Sequence, residues 1–287
     1  MEAKILSGRD IASEIRLGLK NDVEKLKEIG VQPGLAVVIA GDDPASRIYV
    51  NNKKKACDEI GIRSFEYALP AETSEEEIIE LIKTLNCDVN VHGILVQLPL
   101  PPHINEEKVL LGIDPGKDVD AFHPVNVGKI MIGNYRFLPC TPAGVIEMIH
   151  RTDIDLKGSE CIVVGRSNIV GKPMAMLLLH EHATVTICHS RTRDLKTVCK
   201  RADVLVVAVG KPKLIKADFI KPGAVVIDVG TNRMENSKLC GDVDFEEAKG
   251  VASYITPVPG GVGPMTIAML MKNTVKAAEI SACLSSL

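Results

Sequence analysis

From residue 35 onward, short apolar runs alternate with longer stretches in which apolar residues recur every three or four positions. Segments 35–40, 62–69 and 93–98 have the run length and composition of strands, and 46–60 and 75–85 have the helical period. The helix at 75–85 opens with Ser74 and, three residues later, Glu77, the pattern of a capping box. The strand at 93–98 is apolar except for Gln97 and stops at Pro99. Segment 114–142 is rich in Pro and Gly and has no clear period, so it reads as a connector carrying functional loops. A helix then begins near Pro142, a residue suited to a first turn. A second alternation follows: strand 161–164, helix 171–181, strand 184–188 and a helix from about 194. Runs 204–209 and 224–229 are apolar apart from Asp228, as strands buried on both faces are. A last helix covers about 265–282. Repeated strand–helix alternation predicts an α/β fold with mostly parallel sheet, built as two α/β domains.

Composition narrows the function. The chain is 46% hydrophobic and 25% charged, values of an ordinary globular protein able to bury a core. The unbroken apolar run 204–209 falls far short of the roughly 18 residues of a membrane helix, so no membrane association is expected. The first residues carry Glu2, Lys4, Arg9, Asp10 and Glu14 without an apolar stretch, unlike a signal peptide. A net charge of −3 argues against a nucleic-acid partner held by bulk charge. The eight cysteines include no pair closer than Cys188 and Cys199, so no zinc-ligand spacing occurs; they read as small buried hydrophobes in a reducing cytoplasm. His180 and His182 flank Glu181, more simply a surface helix end than a metal site; no metal is expected.

Two regions carry candidate chemistry. The strand at 161–164 runs into Gly165-Arg166-Ser167-Asn168-Ile169-Val170-Gly171 and then a helix. Glycines there let backbone approach a pyrophosphate, and the helix N-terminus offers unpaired N–H groups. The spacing departs from the usual G-x-G-x-x-G, and a tight turn without ligand explains it equally well. The next strand sharpens the reading. Residues 184–193, TVTICHSRTR, lack the acid that holds a ribose 2′-OH and present Ser190, Arg191 and Arg193. Guanidinium groups suit a 2′-phosphate, so NADP is favoured over NAD, against the alternative of a solvated basic loop.

The other region is the helix at 46–60. With Tyr49 at zero and about 100° per residue, Ile60 falls near ~20°, Lys53 near ~40° and Cys57 near ~80°, whereas Lys54 and Lys55 fall outside, at roughly 140° and 240°. Lys53 therefore emerges from the apolar stripe, either snorkelling, ion-paired, or as an amine of lowered pKa fit for acid–base work. Tyr49, one turn earlier, can present its ring to a planar ligand. Gln97 ends a parallel strand, where α/β sheets place ligands, or else caps a backbone group. Lys117-Asp118-Val119-Asp120 supplies two acids, for a cation or merely for a turn. Residues 257–264, PVPGGVGP, form a stiff loop with few side chains, either chain punctuation or a backbone wall against a ligand.

Taken together the chain resembles the bifunctional methylenetetrahydrofolate dehydrogenase/methenyltetrahydrofolate cyclohydrolase family over nearly its whole length. The resemblance is carried by Tyr49-Val50-Asn51-Asn52-Lys53, Gly93-Ile94-Leu95-Val96-Gln97-Leu98-Pro99, Lys117-Asp118-Val119-Asp120, Pro139-Cys140-Thr141-Pro142, the 164–171 turn, and 257–266, PVPGGVGPMT, in the right order. It implies NADP-dependent oxidation of 5,10-methylenetetrahydrofolate to the methenyl cation, and hydrolysis of that cation to 10-formyltetrahydrofolate. It further implies a folate domain over 1–122 completed by helix 266–287, a Rossmann-like NADP domain over 140–265, a folate cleft between them, and a homodimer. By the family pattern Lys53 is the central acid/base, Gln97 orients it, Tyr49 stacks on the aminobenzoyl ring and Asp120 pairs with the pterin's donor edge. Pro259, Gly260 and Gly261 line the cleft; Gly165, Arg166, Ser167 and Ile169 hold the cofactor, with Ser190 and Arg191 near its 2′-phosphate. Two positions depart from the pattern: Ala121 stands where the family usually has Gly, which stiffens the pterin loop slightly, and Thr231 where it usually has Ile, adding a hydroxyl near the cofactor. Two rivals are a reductase of another small carbonyl compound, which leaves Lys53, Gln97 and Asp120 unexplained, and a noncatalytic nucleotide-sensing module, which predicts no hydride transfer.

Overall fold

The computed structural model describes residues 2–234 and 238–285; Met1 and 286–287, at the ends of the expected folate domain, lie outside them. In chain order the elements are β1 (Lys4–Ile5), α1 (Gly8–Glu28), β2 (Gly34–Ala40), α2 (Pro44–Ile60), β3 (Arg63–Leu69), α3 (Glu75–Cys87), β4 (Gly93–Val96), α4 (Glu106–Leu111) and α5 (Pro124–Met131). They continue as α6 (Cys140–Ile149), β5 (Glu160–Val164), α7 (Gly171–His180), β6 (Thr184–Cys188), α8 (Leu195–Cys199), β7 (Val204–Val207) and β8 (Val225–Asp228). Last come β9 (Asn232–Arg233), β10 (Leu239–Cys240), α9 (Phe245–Ala248), β11 (Tyr254–Ile255) and α10 (Val262–Ser285). The chain divides into two compact units, 13–140 with 267–287, and the residues up to 12 with 141–266.

The first unit holds a three-stranded parallel sheet in the order β3-β2-β4. All seven residues of the central strand β2 are buried. Ala36, Val38 and Ala40 share a core with Ile78, Ile82 and Leu85 of α3 and Ile94 and Val96 of β4. The capping box is present as read: Ser74 Oγ accepts from Glu77 N at 3.3 Å and Ser74 N donates to Glu77 at 2.8 Å. From β2 the chain turns first to β3 on one side and then to β4 on the other. The carboxyl ends of β2 and β4 therefore lie at the switch point of the sheet, the place where such sheets take ligands.

The second unit is built on a six-stranded sheet, β1-β11-β8-β7-β5-β6, parallel throughout. Here β5 is the switch point, with β6 on one side and β7 on the other. Strands β7 and β8 are buried on both faces, as their apolar runs require, with Asp228 at the end of β8 the one charged residue. Two buried carboxylates organise the loops beyond them. Asp242, 0% exposed, accepts from Val209 N, Gly210 N and Lys211 N at 2.7–2.9 Å and from Asn232 Nδ2 at 2.9 Å. Asp228 accepts from Gly230 N, Asp242 N and Val243 N at 2.8–3.0 Å, and burial pushes its carboxyl up to about 7.

The observed boundaries differ from the expected ones. Residues up to 12, assigned above to the folate domain, belong instead to the second unit, because β1 pairs with β11 (Lys4 with Tyr254, Ile5 with Ile255). Residues 123–140, read as connector, stay with the first unit and contain α5. That helix presents only Asn126 and Ile130 as buried positions, too few to set a visible period. The alternation read above also omits α1, whose inward residues Ile11, Leu19, Val23 and Leu26 keep helical spacing. The strand expected at 93–98 ends at Val96, leaving Gln97 just beyond it.

Replacement of Asp242 by Asn turns an amide –NH2 toward a nest of backbone N–H donors. Hydrogen bonds to a charged group contribute about 1.5–3 kcal/mol each, so Asp242→Asn is expected to destabilise the second unit by about 3 kcal/mol or more, read as a lowered thermal unfolding midpoint.

Candidate active site

In the first unit the candidate catalytic residues are set by α2 and by the ends of β2 and β4. Helix α2 begins sharply: Asp43 accepts from Ser46 N at 2.7 Å, and Pro44 occupies the first turn. Its inward face carries Ser46, Val50, Lys53, Ala56, Cys57 and Ile60, so Lys53 is buried (9% exposed) while Lys54 and Lys55 are exposed, as the angular reading places them. Tyr49 lies beside this stripe at 42% exposure, with its ring available.

Lys53 Nζ donates to Gln97 Oε1 at 2.9 Å, and Gln97 Nε2 donates to the Leu98 carbonyl at 2.7 Å. The second bond fixes which way the amide faces, because its NH2 is held by a carbonyl and its oxygen is left for the lysine. Burial depresses the Lys53 amine below the ordinary lysine value; Asp120, Cys140 and Cys57, the titratable groups facing it, pull the other way. Burial likewise raises the Asp120 carboxyl, against the pull of Lys53. The amine is thus pushed down and the neighbouring carboxyl pushed up, each moderated by the charge of the other.

The two acids of the 117–120 run separate in role. Asp118, buried, accepts from His123 N and Asn126 Nδ2, both at 2.8 Å, and thereby shapes the loop. Asp120, partly exposed, is open to a ligand. Lys117 Nζ donates to the Leu85 and Asp88 carbonyls at the end of α3. Ala121 adopts φ +58°, the left-handed region that favours glycine, and is fully buried. Cys140, read from sequence as one more buried hydrophobe, donates its thiol to the Val119 carbonyl at 3.4 Å and stands beside Asp120; burial, and then the Asp120 charge, raises its pKa. Its sequence signal was the adjoining PCTP run.

In the second unit the remaining candidates gather along the carboxyl edge of one parallel sheet. Gly165 follows β5 directly at φ +142°, and a Cβ there would meet the Ala208 carbonyl at 2.3 Å, so β5 and β7 close together only around glycine. Ser167 Oγ accepts from Val170 N and Gly171 N, both at 3.2 Å, capping the start of α7. Arg166, Ser167 and Ile169 are exposed. After β6, His189 Nδ1 accepts from Arg191 N and Thr192 Oγ1 from His189 N. This turn leaves Ser190, Arg191 and Arg193 exposed; among the described residues neither arginine makes an ion pair. Thr231 is exposed after β8. Of the last loop, Pro259 is exposed and Gly260 half-buried, but Gly261 is buried, where a Cβ would meet the Pro257 carbonyl at 2.5 Å. Only glycine fits at 261.

Two family models match the chain: the catalytic domain of tetrahydrofolate dehydrogenase/cyclohydrolase over residues 6–120, and its NAD(P)-binding domain over 139–282. A bifunctional protein FolD of Acetivibrio thermocellus is 70% identical over 98% of this chain and 99% of that protein. The chain belongs to the tetrahydrofolate dehydrogenase/cyclohydrolase family. Among solved structures of the family, the bifunctional FolD of Campylobacter jejuni is 50% identical and superposes with a TM-score of 0.95, over 97% of this chain and 99% of that one. The Trypanosoma brucei enzyme, solved with NADP and an inhibitor, is 41% identical with a TM-score of 0.95, over 98% and 99%. The dehydrogenase/cyclohydrolase fold and the two-unit architecture are therefore those expected. The second unit's residues fit a phosphorylated dinucleotide: a glycine-tight strand–helix turn at the switch point, and exposed guanidinium and hydroxyl donors at the end of the next strand with no acid among them.

Because the Asp120 charge supports protonated Lys53, removing it has a signed consequence. In Asp120→Asn the Lys53 amine is expected to titrate at a still lower pH than in the parent protein, whose amine already lies below the ordinary lysine value. The check is NMR of ¹³C-methylated lysines across a pH series.

Proposed function

We propose that the chain oxidises 5,10-methylenetetrahydrofolate to 5,10-methenyltetrahydrofolate with NADP⁺ and hydrolyses the product to 10-formyltetrahydrofolate, with Lys53 as the acid/base of the hydrolytic step. The observation that carries the assignment of Lys53 is the buried Lys53–Gln97 hydrogen bond at 2.9 Å beside Asp120. NADP⁺ supplies the hydride acceptor when bound. For hydrolysis, a water oxygen bonds to the methenyl carbon and its proton passes to the Lys53 amine, which burial keeps ready to accept it. Lys53 returns that proton to N5 as the carbon–N5 bond breaks, while the proton left on the added oxygen is released to solvent as the C=O forms, leaving the formyl group on N10. Gln97 aims the amine throughout, since its own amide is pinned to Leu98.

Asp120 anchors the pterin, where one carboxylate meets two N–H groups, and the exposed Tyr49 ring stacks on the aminobenzoyl group. Gly165, Arg166, Ser167 and Ile169 receive the cofactor's phosphates and ribose, Ser190 and Arg191 its 2′-phosphate, and Thr231 adds a hydroxyl to the same edge. Pro259, Gly260 and Gly261 offer backbone to folate. The reading includes a homodimer, which light scattering measures directly, and a cytoplasmic setting, consistent with all eight cysteines being free thiols. Among the described residues no helix is long and apolar enough to cross a membrane. A reductase of another carbonyl compound is not favoured: high-identity relatives are bifunctional FolD proteins, and such a reductase has no use for the Lys53 site.

Lys53→Met separates the two half-reactions. General acid–base catalysis contributes about 10²- to 10⁴-fold, so cyclohydrolase activity should fall by that order. Dehydrogenation depends mainly on positioning and should fall less, because Met fills the apolar stripe. Each half-reaction is followed by absorbance, with thermal unfolding as control; equal loss of both in a folded protein removes the acid/base role.

Arg191→Ala tests the cofactor reading. A charge-assisted contact to phosphate is worth about 1.5–3 kcal/mol, or roughly 10- to 100-fold in the ratio of kcat/KM for NADP⁺ over NAD⁺. A parallel fall with both cofactors places Arg191 away from the 2′-phosphate.

A further inference from the structure

Asn273 is a buried polar residue on the inward side of α10 (8% exposed), beside the buried Thr274, whose hydroxyl is satisfied by the Leu270 carbonyl. A buried amide costs free energy unless its hydrogen bonds are met. Its Nδ2 carries two hydrogens, and two backbone carbonyls accept them: Val119 at 2.7 Å and Leu138 at 2.9 Å. Cys140 Sγ lies 3.7 Å from the same nitrogen and itself donates to the Val119 carbonyl at 3.4 Å. The Val119 carbonyl belongs to the peptide that joins Val119 to Asp120, and Cys140, which donates to that carbonyl, lies beside the Asp120 charge. One side chain thus ties together the two loop segments that hold Asp120, one through its backbone and one through its neighbour.

We infer that Asn273 is a positioning residue for folate, acting through Asp120: it fixes the 119–120 peptide against the 138–140 segment so that the carboxylate faces Lys53 and the pterin. The NAD(P)-binding family model spans this position, yet in the structure Asn273 serves the unit that carries Lys53. This role rests on the reading of Asp120 as the folate anchor. Neither Ser nor Ala at 273 can hold both carbonyls, whereas Gln retains both donors one methylene further out.

The experiment compares Asn273→Ala, Asn273→Gln, Asp120→Ala and the double variant Asn273→Ala/Asp120→Ala, measuring KM and kcat for the folate substrate, the Kd of NADP⁺, and thermal unfolding. A displacement of about 1 Å at a reacting group costs up to 10²-fold, so Asn273→Ala is expected to raise the folate KM on the order of 10- to 100-fold while leaving the Kd of NADP⁺ unchanged. Asn273→Gln should recover part of the loss. The double variant should bind folate no worse than Asp120→Ala alone, since residues acting through one another are not additive. If Asn273→Ala does not fold, Asn273→Ser replaces it and is judged by the same outcomes. Additive effects on folate KM, an unchanged folate KM, or a loss that NADP⁺ binding shares overturn the role of Asn273. If Asp120→Ala itself leaves folate KM unchanged, the reading of the site fails, a result distinct from Asp120→Ala raising KM while Asn273→Ala does not.

Discussion

A lysine amine has been taken out of water in the first unit, and much of the local architecture answers that fact. Desolvation alone favours the neutral amine, and leaving its polar hydrogens unpaired would cost further free energy. Gln97 meets one of them at 2.9 Å, and the Leu98 carbonyl fixes the Gln97 amide so that it cannot rotate away. Asp120 moderates the depression without abolishing it. The sharp start of α2, with Asp43 as cap and Pro44 in the first turn, sets the helical phase that brings Lys53 inward while its two neighbours stay wet. A shift of one residue in that start would bring Asn52 or Lys54 to the position facing Gln97 instead.

Both units hold loops at the carboxyl edge of a parallel sheet by the same means. Loops cannot satisfy their own backbone groups as strands do, so buried polar side chains do it for them. In the first unit these are Asp118, which gathers His123 and Asn126, and Asn273, which joins Val119 to Leu138. In the second, Asp242 collects three consecutive backbone N–H groups and Asp228 three more. These residues touch no expected ligand atom, yet they determine where the ligand-facing residues stand.

Much of the site was legible because its signals are local. The helical phase of Lys53, the strand end at Gln97, the capping box at Ser74 and the acid-free turn after β6 can all be read within a window of one or two turns. The supporting groups were not. Asn273 lies far along the chain from Val119, and nothing in MLMKNTVKA tells that its amide is bonded to another segment's carbonyls. Cys140 looks like any small apolar residue until Asp120 is placed next to it. The two-residue strand β1 has no period at all; only its partner, β11, reveals it. Ala121 shows the reverse limit: sequence marks the missing glycine, but not that the residue must still adopt a left-handed φ of 58° while fully buried.

The pairing of β1 with β11 bears on how the molecule is made. Residues 4–5 form the edge strand of a sheet whose neighbouring strand, β11, comes after every other strand in the chain. The unit that carries Lys53 waits in the same way for α10, which brings Asn273 and packs Met271 against Cys57. Neither unit can close on a nascent chain that lacks its C-terminal portion. Each unit is thus assembled from two separate stretches of chain, and neither is a contiguous piece that could be cut out whole.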